Sequence, residues 1–237
     1  MPRDPRACTG LVNSFTVRYP LLVVQRFRIH YAKTQPLRYV SSLDLHKVWE
    51  RYLRRAGLPL AYSHGFTPQP RLQQAHPLPL GYLGANEIID VWLEAETDLS
   101  AEEVQARLQA TPQPGIEILS VTEIAPEAPA LTSQISSAEY EVWFLDPLSP
   151  DELASRVTQL LNTPSIQRER RGKAYNLRPL IEFIEILTDT TPGRLGLRMR
   201  LAAREGATGR PEEVVAALGY DPFAVRIIRT RLNGATT

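Results

Sequence analysis

Segments of strand period and helix period follow one another along this chain in the order β-α-β-β-α-β, and a similar order recurs after a proline-containing break. Together with an ordinary globular composition, these observations predict an α+β fold of two tandem ferredoxin-like (split βαβ) units. The chain has 237 residues, enough for two domains of about 100 residues each. Hydrophobic residues at 43% and charged residues at 22% exclude a disordered or fibrous protein.

Residues 1–22 follow neither period and are broken by Pro2, Pro5, Gly10 and Pro20, so they are expected to be a disordered tail. An over-called start codon would explain such a leader. Patterned sequence starts at Val23 or Val24. From Gln25 to Ala32 the residues alternate, with Phe27, Ile29 and Tyr31 on one face and Arg26, Arg28 and His30 on the other, which predicts a half-buried strand. A helix follows, with Ser41 as N-cap, Asp44 three residues on and Gly57 as the stop. Its apolar stripe is Leu45, Val48, Trp49, Tyr52, Leu53 and Ala56, and its other face carries Lys47, Arg51, Arg54 and Arg55 against Glu50.

Leu58 to Tyr62 is a candidate short strand, and the unit closes with a strand over Glu87–Glu96, a helix over Ser100–Ala110 and a strand over Ile116–Ile124. The stretch 126–137, with Pro126 and Pro129, reads as a linker between a first domain at 23–125 and a second at 138–237. In the second, Glu139–Leu145 is a strand, Ser149–Leu161 a helix, Ser165–Arg171 a strand and Ala174–Leu187 strand-like. Arg194–Ala203 alternates strongly, a short helix begins at Arg210-Pro211-Glu212-Glu213, and Val225–Leu232 closes as a strand.

Several chemistries are excluded by what the chain lacks. It has one cysteine, Cys8, so three thiolates for a [4Fe–4S] cluster, a zinc–thiolate site and a disulfide framework are all out of reach. The four histidines, His30, His46, His64 and His76, lack zinc-ligand spacing, and neither a Gly-x-Ser-x-Gly elbow nor a phosphate-binding glycine loop occurs. The apolar run Tyr19–Val24 is shorter than the roughly 20 residues a membrane helix needs. No cofactor and no membrane attachment are expected, and a reducing cytoplasm suits the cysteine usage.

The net charge of +1 hides a strong asymmetry: +2 over residues 1–23, +7 over 24–84, −13 over 85–165 and +5 over 166–237. Such blocks point to a polyanionic or protein partner, or else to pairing of the blocks within the fold. Within the +7 block stands the segment Tyr62-Ser63-His64-Gly65-Phe66-Thr67-Pro68-Gln69-Pro70-Arg71, followed by Pro77-Leu78-Pro79-Leu80-Gly81. Glycine permits a tight backbone, the prolines stiffen the loop, and aromatic, imidazole and guanidinium groups stand together. That set suits single-stranded RNA, whose bases stack on aromatic rings while cations meet phosphate. The competing reading is a crossover loop with Phe66 buried.

The runs Arg28-Ile29-His30-Tyr31-Ala32-Lys33, Leu37-Arg38-Tyr39-Val40-Ser41-Ser42-Leu43-Asp44-Leu45, Arg54-Arg55-Ala56-Gly57-Leu58-Pro59 and Ala61 through Arg71 together carry a family resemblance. The text resembles the bacterial family of radical SAM-associated proteins, a domain of unknown function found beside, or fused behind, a cobalamin-binding radical SAM protein. The likeness continues through Asn176-Leu177-Arg178-Pro179, Arg210-Pro211-Glu212-Glu213-Val214 and Arg229-Thr230-Arg231-Leu232. It implies a cobalamin-binding radical SAM protein as partner and a setting near RNA processing or modification.

The reading is therefore a non-catalytic accessory that docks RNA or a protein for that partner. An RNA-processing or RNA-modifying enzyme in its own right is the alternative. The expected binding residues are Lys33, Arg38, Arg51, Arg54, Arg55, Tyr62, Ser63, His64, Phe66 and Arg71, and no catalytic or metal-ligating residue is expected.

Overall fold

The computed structural model describes residues 24–94, 98–189 and 194–234. The expected tail at 1–22, with Cys8, lies outside the described residues, as do Val23 and Glu96. The chain is α+β: one large mixed sheet, a separate hairpin and four α-helices among the described residues. No helix among them is long and apolar enough to cross a membrane.

In the first half, β1 is Val24–Lys33, α1 Ser42–Arg55, β2 Leu72–Gln74, β3 Leu83–Glu94, α2 Ala101–Ala110 and β4 Ile116–Ile124. In the second, β5 is Ile135–Phe144, α3 Pro150–Asn162, β6 Gln167–Arg170, β7 Lys173–Asn176 and β8 Ile181–Thr188. The chain ends with β9 at Leu195–Arg204, β10 at Ala207–Thr208, α4 at Pro211–Ala217 and β11 at Val225–Gly234.

The strand order is β4-β1-β3-β2 in the first half and β11-β5-β9-β8 in the second, with every neighbouring pair antiparallel. The halves are joined where β11 pairs parallel with the start of β3, at Ile228 with Leu83 and Arg229 with Gly84. That start is open to a neighbour because β2 pairs only with residues 89–91 of β3.

Each half packs helices on one face of its strands. Alternation in β1 and β3 turns Phe27, Ile29, Tyr31, Ile89, Val91 and Leu93 toward Leu45, Trp49, Tyr52 and Leu53 of α1 and toward Val104 and Leu108 of α2. Tyr31 meets Trp49 edge-on, with ring centroids 4.8 Å apart. Ser41 caps α1 by accepting from the Asp44 amide at 3.2 Å, and Ser100 and Glu103 form a full capping box on α2. The second core gathers Tyr140, Val142, Leu153, Val157, Leu197, Met199, Leu201, Val214 and Ile227, and it also takes in Leu78, Tyr82 and Ile88 from the first half.

Four expectations need correction. Alternation in β1 predicts a second face open to solvent, yet Arg26 there is only 2% exposed. The stretch after β4 crosses that face: Arg26 donates to the carbonyls of Ala128 at 2.5 Å and Pro129 at 3.1 Å, while Leu131 is buried. Both Arg26 and Arg28 donate to the fully buried Asp90, which gives the buried Arg26 its counter-charge, while Arg28 stays partly open to solvent.

The strand expected at Leu58–Tyr62 is reduced to isolated bridges, Leu60 with Leu93 and Tyr62 with Pro70. The edge of β3 is shared between two short stretches, since Ala61 N donates to Trp92 O at 2.9 Å and Trp92 N donates to Arg71 O at 3.1 Å. The strand expected at Ser165–Arg171 stops one residue early, at Arg170, because Arg171 and Gly172 form the turn into β7. The run Ala174–Leu187 is broken at Arg178–Leu180 by a 3-10 turn, where Pro179 lacks an amide for the ladder and Asn176 Oδ1 accepts from Ile166 N and Arg178 N.

Candidate nucleic-acid interface

The chain leaves the sheet edge between Tyr62 and Pro70 and returns to it, so the intervening residues project as a finger. Its neck is closed by Ser63 N donating to Gln69 O at 2.8 Å and by Gln69 N donating to Ser63 Oγ at 3.0 Å. Gly65 at the tip has a φ of +147°, open only to glycine at low cost. Next to it, Phe66 is fully exposed, which removes the reading of a crossover loop with a buried phenyl ring. Tyr62, Ser63 and His64 are exposed as well.

The C-terminal turn of α1 lies beside this finger. Arg54 pairs with Glu50 at 2.8 Å and its Nη2 donates to the Tyr62 hydroxyl at 3.2 Å. Arg51 is exposed on the same helix, and Arg55 turns the other way, donating to Gln113 Oε1 at 2.8 Å. Arg51, Arg54, Tyr62, Ser63, His64 and Phe66 thus share one end of the first half.

The other expected residues stand elsewhere. Arg71 lies over the indole of Trp92, 5.0 Å from the ring centroid, on the sheet face opposite α1. Arg26 shares that indole at 4.6 Å. Lys33 is 1% exposed, its Nζ donates to Val40 O at 3.3 Å, and burial lowers its pKa. It does not reach the surface. Arg38 lies at the opposite end of α1, where its Nε donates to Gly81 O at 2.9 Å and its guanidinium covers the Tyr39 ring at 5.1 Å.

Charge blocks that look separate in sequence pair in space. Asp90 pairs with both Arg26 and Arg28, Glu87 pairs with Arg229, and Glu139 and Glu141 meet Arg200 and Arg198. Among the described residues, Arg38, Arg51, Arg55 and Arg71 of the +7 block, together with the buried Lys33, have no carboxylate within ion-pair distance. The free cationic surface is smaller than the block charge suggests.

Two features escape the sequence reading. Pro222 at the second position of a turn, closed by Ala224 N donating to Asp221 O at 3.1 Å, leaves Phe223 90% exposed. The β6–β7 hairpin turns through Arg171 and Gly172, both at positive φ, and carries Arg168, Arg170, Lys173 and Tyr175 on one face. The signals were Asp221-Pro222-Phe223 as a turn signature and Arg170-Arg171-Gly172-Lys173 as a two-residue hairpin loop.

The fold is α+β, and its exposed aromatic and cationic groups gather at the finger, at Phe223 and on the β6–β7 hairpin. By its sequence the chain belongs to the family described as "Uncharacterized protein conserved in bacteria (DUF2344)", whose model matches residues 26–211. No curated protein matches it in sequence. Among solved structures, a Cbf5–Nop10–Gar1 complex is similar at 14% identity and a TM-score of 0.46, over 87% of this chain and 48% of that one. An archaeal box H/ACA Nop10–Cbf5 complex gives 15% identity and 0.43, again over 87% and 48%. An H/ACA complex bound to a substrate RNA gives 14% and 0.40, over 79% and 43%. The chain spans about half the length of these chains or less.

Proposed function

We propose that the chain is a cytoplasmic, RNA-binding accessory of a cobalamin-binding radical SAM protein, active in RNA processing or modification. The observation that carries the RNA half is Phe66, fully exposed at the tip of a closed finger, with Tyr62, His64, Arg51 and Arg54 beside it. An exposed phenyl ring held on a stiff loop gains little in the free protein, whereas it offers an unpaired base a stacking platform. The radical SAM half is supported by the resemblance of residues 28–81. The strand orders β4-β1-β3-β2 and β11-β5-β9-β8 support a reading of the fold as two split βαβ units, with the first and second domains at 23–125 and 138–237.

The test is titration of a fluorescent single-stranded RNA at several salt concentrations. Salt-sensitive binding without cleavage is expected, and Phe66→Ala should weaken it at every salt concentration alike. Absence of binding at low salt would overturn the RNA reading, and cleavage by the isolated chain would favour the enzyme. Purification from its own cytoplasm should bring the radical SAM protein down with it.

A further inference from the structure

We infer that the groove between the two halves is a second contact for the same single-stranded RNA, seating an unstacked base between Tyr39 and Phe223 and phosphates on the β6–β7 hairpin. The inference rests on the RNA reading above but uses residues remote from the finger. A cavity of about 400 Å³ opens between Arg38, Tyr39, Leu80 and Tyr82 of the first half and Glu212 and Phe223 of the second. That volume falls in the range of sites for small ligands, roughly 300–1,000 Å³.

Its rim is aromatic and exposed, with Tyr39 at 69% and Phe223 at 90%. Both rings are set by local structure: Arg38 lies over Tyr39, with Gly81 N donating to Arg38 O at 3.0 Å, and the Asp221-Pro222 turn holds Phe223 outward. Polar groups stand deeper. The Tyr82 hydroxyl donates to Glu212, and burial followed by that carboxylate raises its pKa, so it stays a donor.

A second cavity of about 590 Å³ lies against the hairpin, lined by Arg170, Arg171, Lys173, Tyr175 and Arg210. The two cavities share a wall, because Glu212 lines the first, Arg210 lines the second, and the two side chains pair at 3.3 Å. Among the described residues, Arg170, Arg171 and Lys173 have no carboxylate within ion-pair distance. The one acid of the hairpin, Glu169, lies on its other face.

An aromatic slot beside an uncompensated cationic cavity complements one chemistry in particular, a strand of bases with a phosphate attached to each. A purely apolar peptide would leave the hairpin cations unmatched, and a free phosphate would leave the aromatic rim unused.

The experiment titrates the full-length protein with a fluorescent 12-nucleotide single-stranded RNA over a salt series, in four forms. These are wild type, Phe223→Ala, the triple variant Arg170→Thr/Arg171→Asn/Lys173→Thr, and Phe66→Ala. Asn suits the positive φ at Arg171, and every altered side chain is at least partly exposed, so melting temperatures should match and serve as the folding control. Phe223→Ala should weaken binding about 5- to 150-fold at every salt concentration. The triple variant should reduce the slope of log Kd on log salt by about 2, at roughly 0.7 per phosphate on a single strand.

If Phe66→Ala weakens binding while Phe223→Ala and the triple variant match wild type, the groove is not an RNA contact and the inference falls alone. If wild type binds no RNA at low salt, the inference and the RNA reading fall together.

Discussion

Glu87 of β3 and Arg229 of β11 form a buried ion pair that ties the two halves of the sheet together. Arg229 Nε donates to Glu87 Oε1 at 2.8 Å, the two side chains are 2–3% exposed, and Arg229 Nη2 also donates to His76 O at 2.5 Å. Gly84 makes room for it, since a Cβ there would come within 2.4 Å of the Glu87 side chain. Glu87→Ala leaves a buried guanidinium without its counter-charge and should cost about 3–5 kcal/mol in urea unfolding. Glu87→Met/Arg229→Met should cost less than Glu87→Ala alone; a greater cost would mean that the pair contributes more than compensation of two buried charges.

The faces of α1 should separate sharply in the same assay. Leu53 is fully buried among Trp49, Tyr52 and the strand residues, so Leu53→Ala should cost about 2–5 kcal/mol. Arg51 is exposed, and Arg51→Ala should change stability by less than about 0.5 kcal/mol. Equal losses at the two positions would contradict the orientation of the helix.

Phe66→Ala should leave the melting temperature unchanged because the ring packs on nothing, and it should weaken RNA binding by about 1–3 kcal/mol at all salt concentrations. Arg54→Ala should instead lower the salt slope by about 0.7. Melting curves and titrations on the same samples check both, and a lowered melting temperature for Phe66→Ala would show that the finger packs against the body of the protein.

His76 supplies a pH dependence. Burial first, and then the Arg229 charge beside it, lower its pKa below the usual 6.5. The unfolded chain therefore takes up a proton near pH 6.5 that the folded chain resists, so the His76 contribution is fully present above that pH and is lost as pH falls below it. Melting temperature should decline from pH 7 toward pH 5.5, and His76→Gln should flatten that decline. An unchanged slope in the variant would assign the effect to other groups.

Much of this was legible in the chain. The helical spacing of Leu45, Trp49, Tyr52 and Leu53 marks the buried face of α1 correctly, and Ser41 and Ser100 mark the caps, because these signals act within one or two turns of backbone. The finger is recognisable as a loop from its glycine and prolines, but whether Phe66 points in or out depends on the sheet edge from which it projects. Arg26 and Lys33 look like surface cations in an alternating strand, yet both are buried: Arg26 donates to Ala128 O, 102 positions away, and Lys33 to Val40 O. Arg71 sits only five residues after Phe66 and ends on the other side of the sheet, over Trp92.

By itself, then, the sequence determined the α+β class, the order of most elements, the cores of the helices and the membership of a bacterial family, since all of these follow from local periodicity and continuous text. Tertiary structure alone decided which charges cancel, which aromatic rings stay exposed and which residues meet. Glu87 finds Arg229 across 142 positions and Asp90 takes both Arg26 and Arg28, while Tyr39 and Phe223 line one groove from opposite ends of the chain. Electrostatic pairing and cavity shape depend on distances through space, which strand pairing sets: β1 with β3 for Asp90 and its arginines, and β11 with β3 for Glu87 and Arg229.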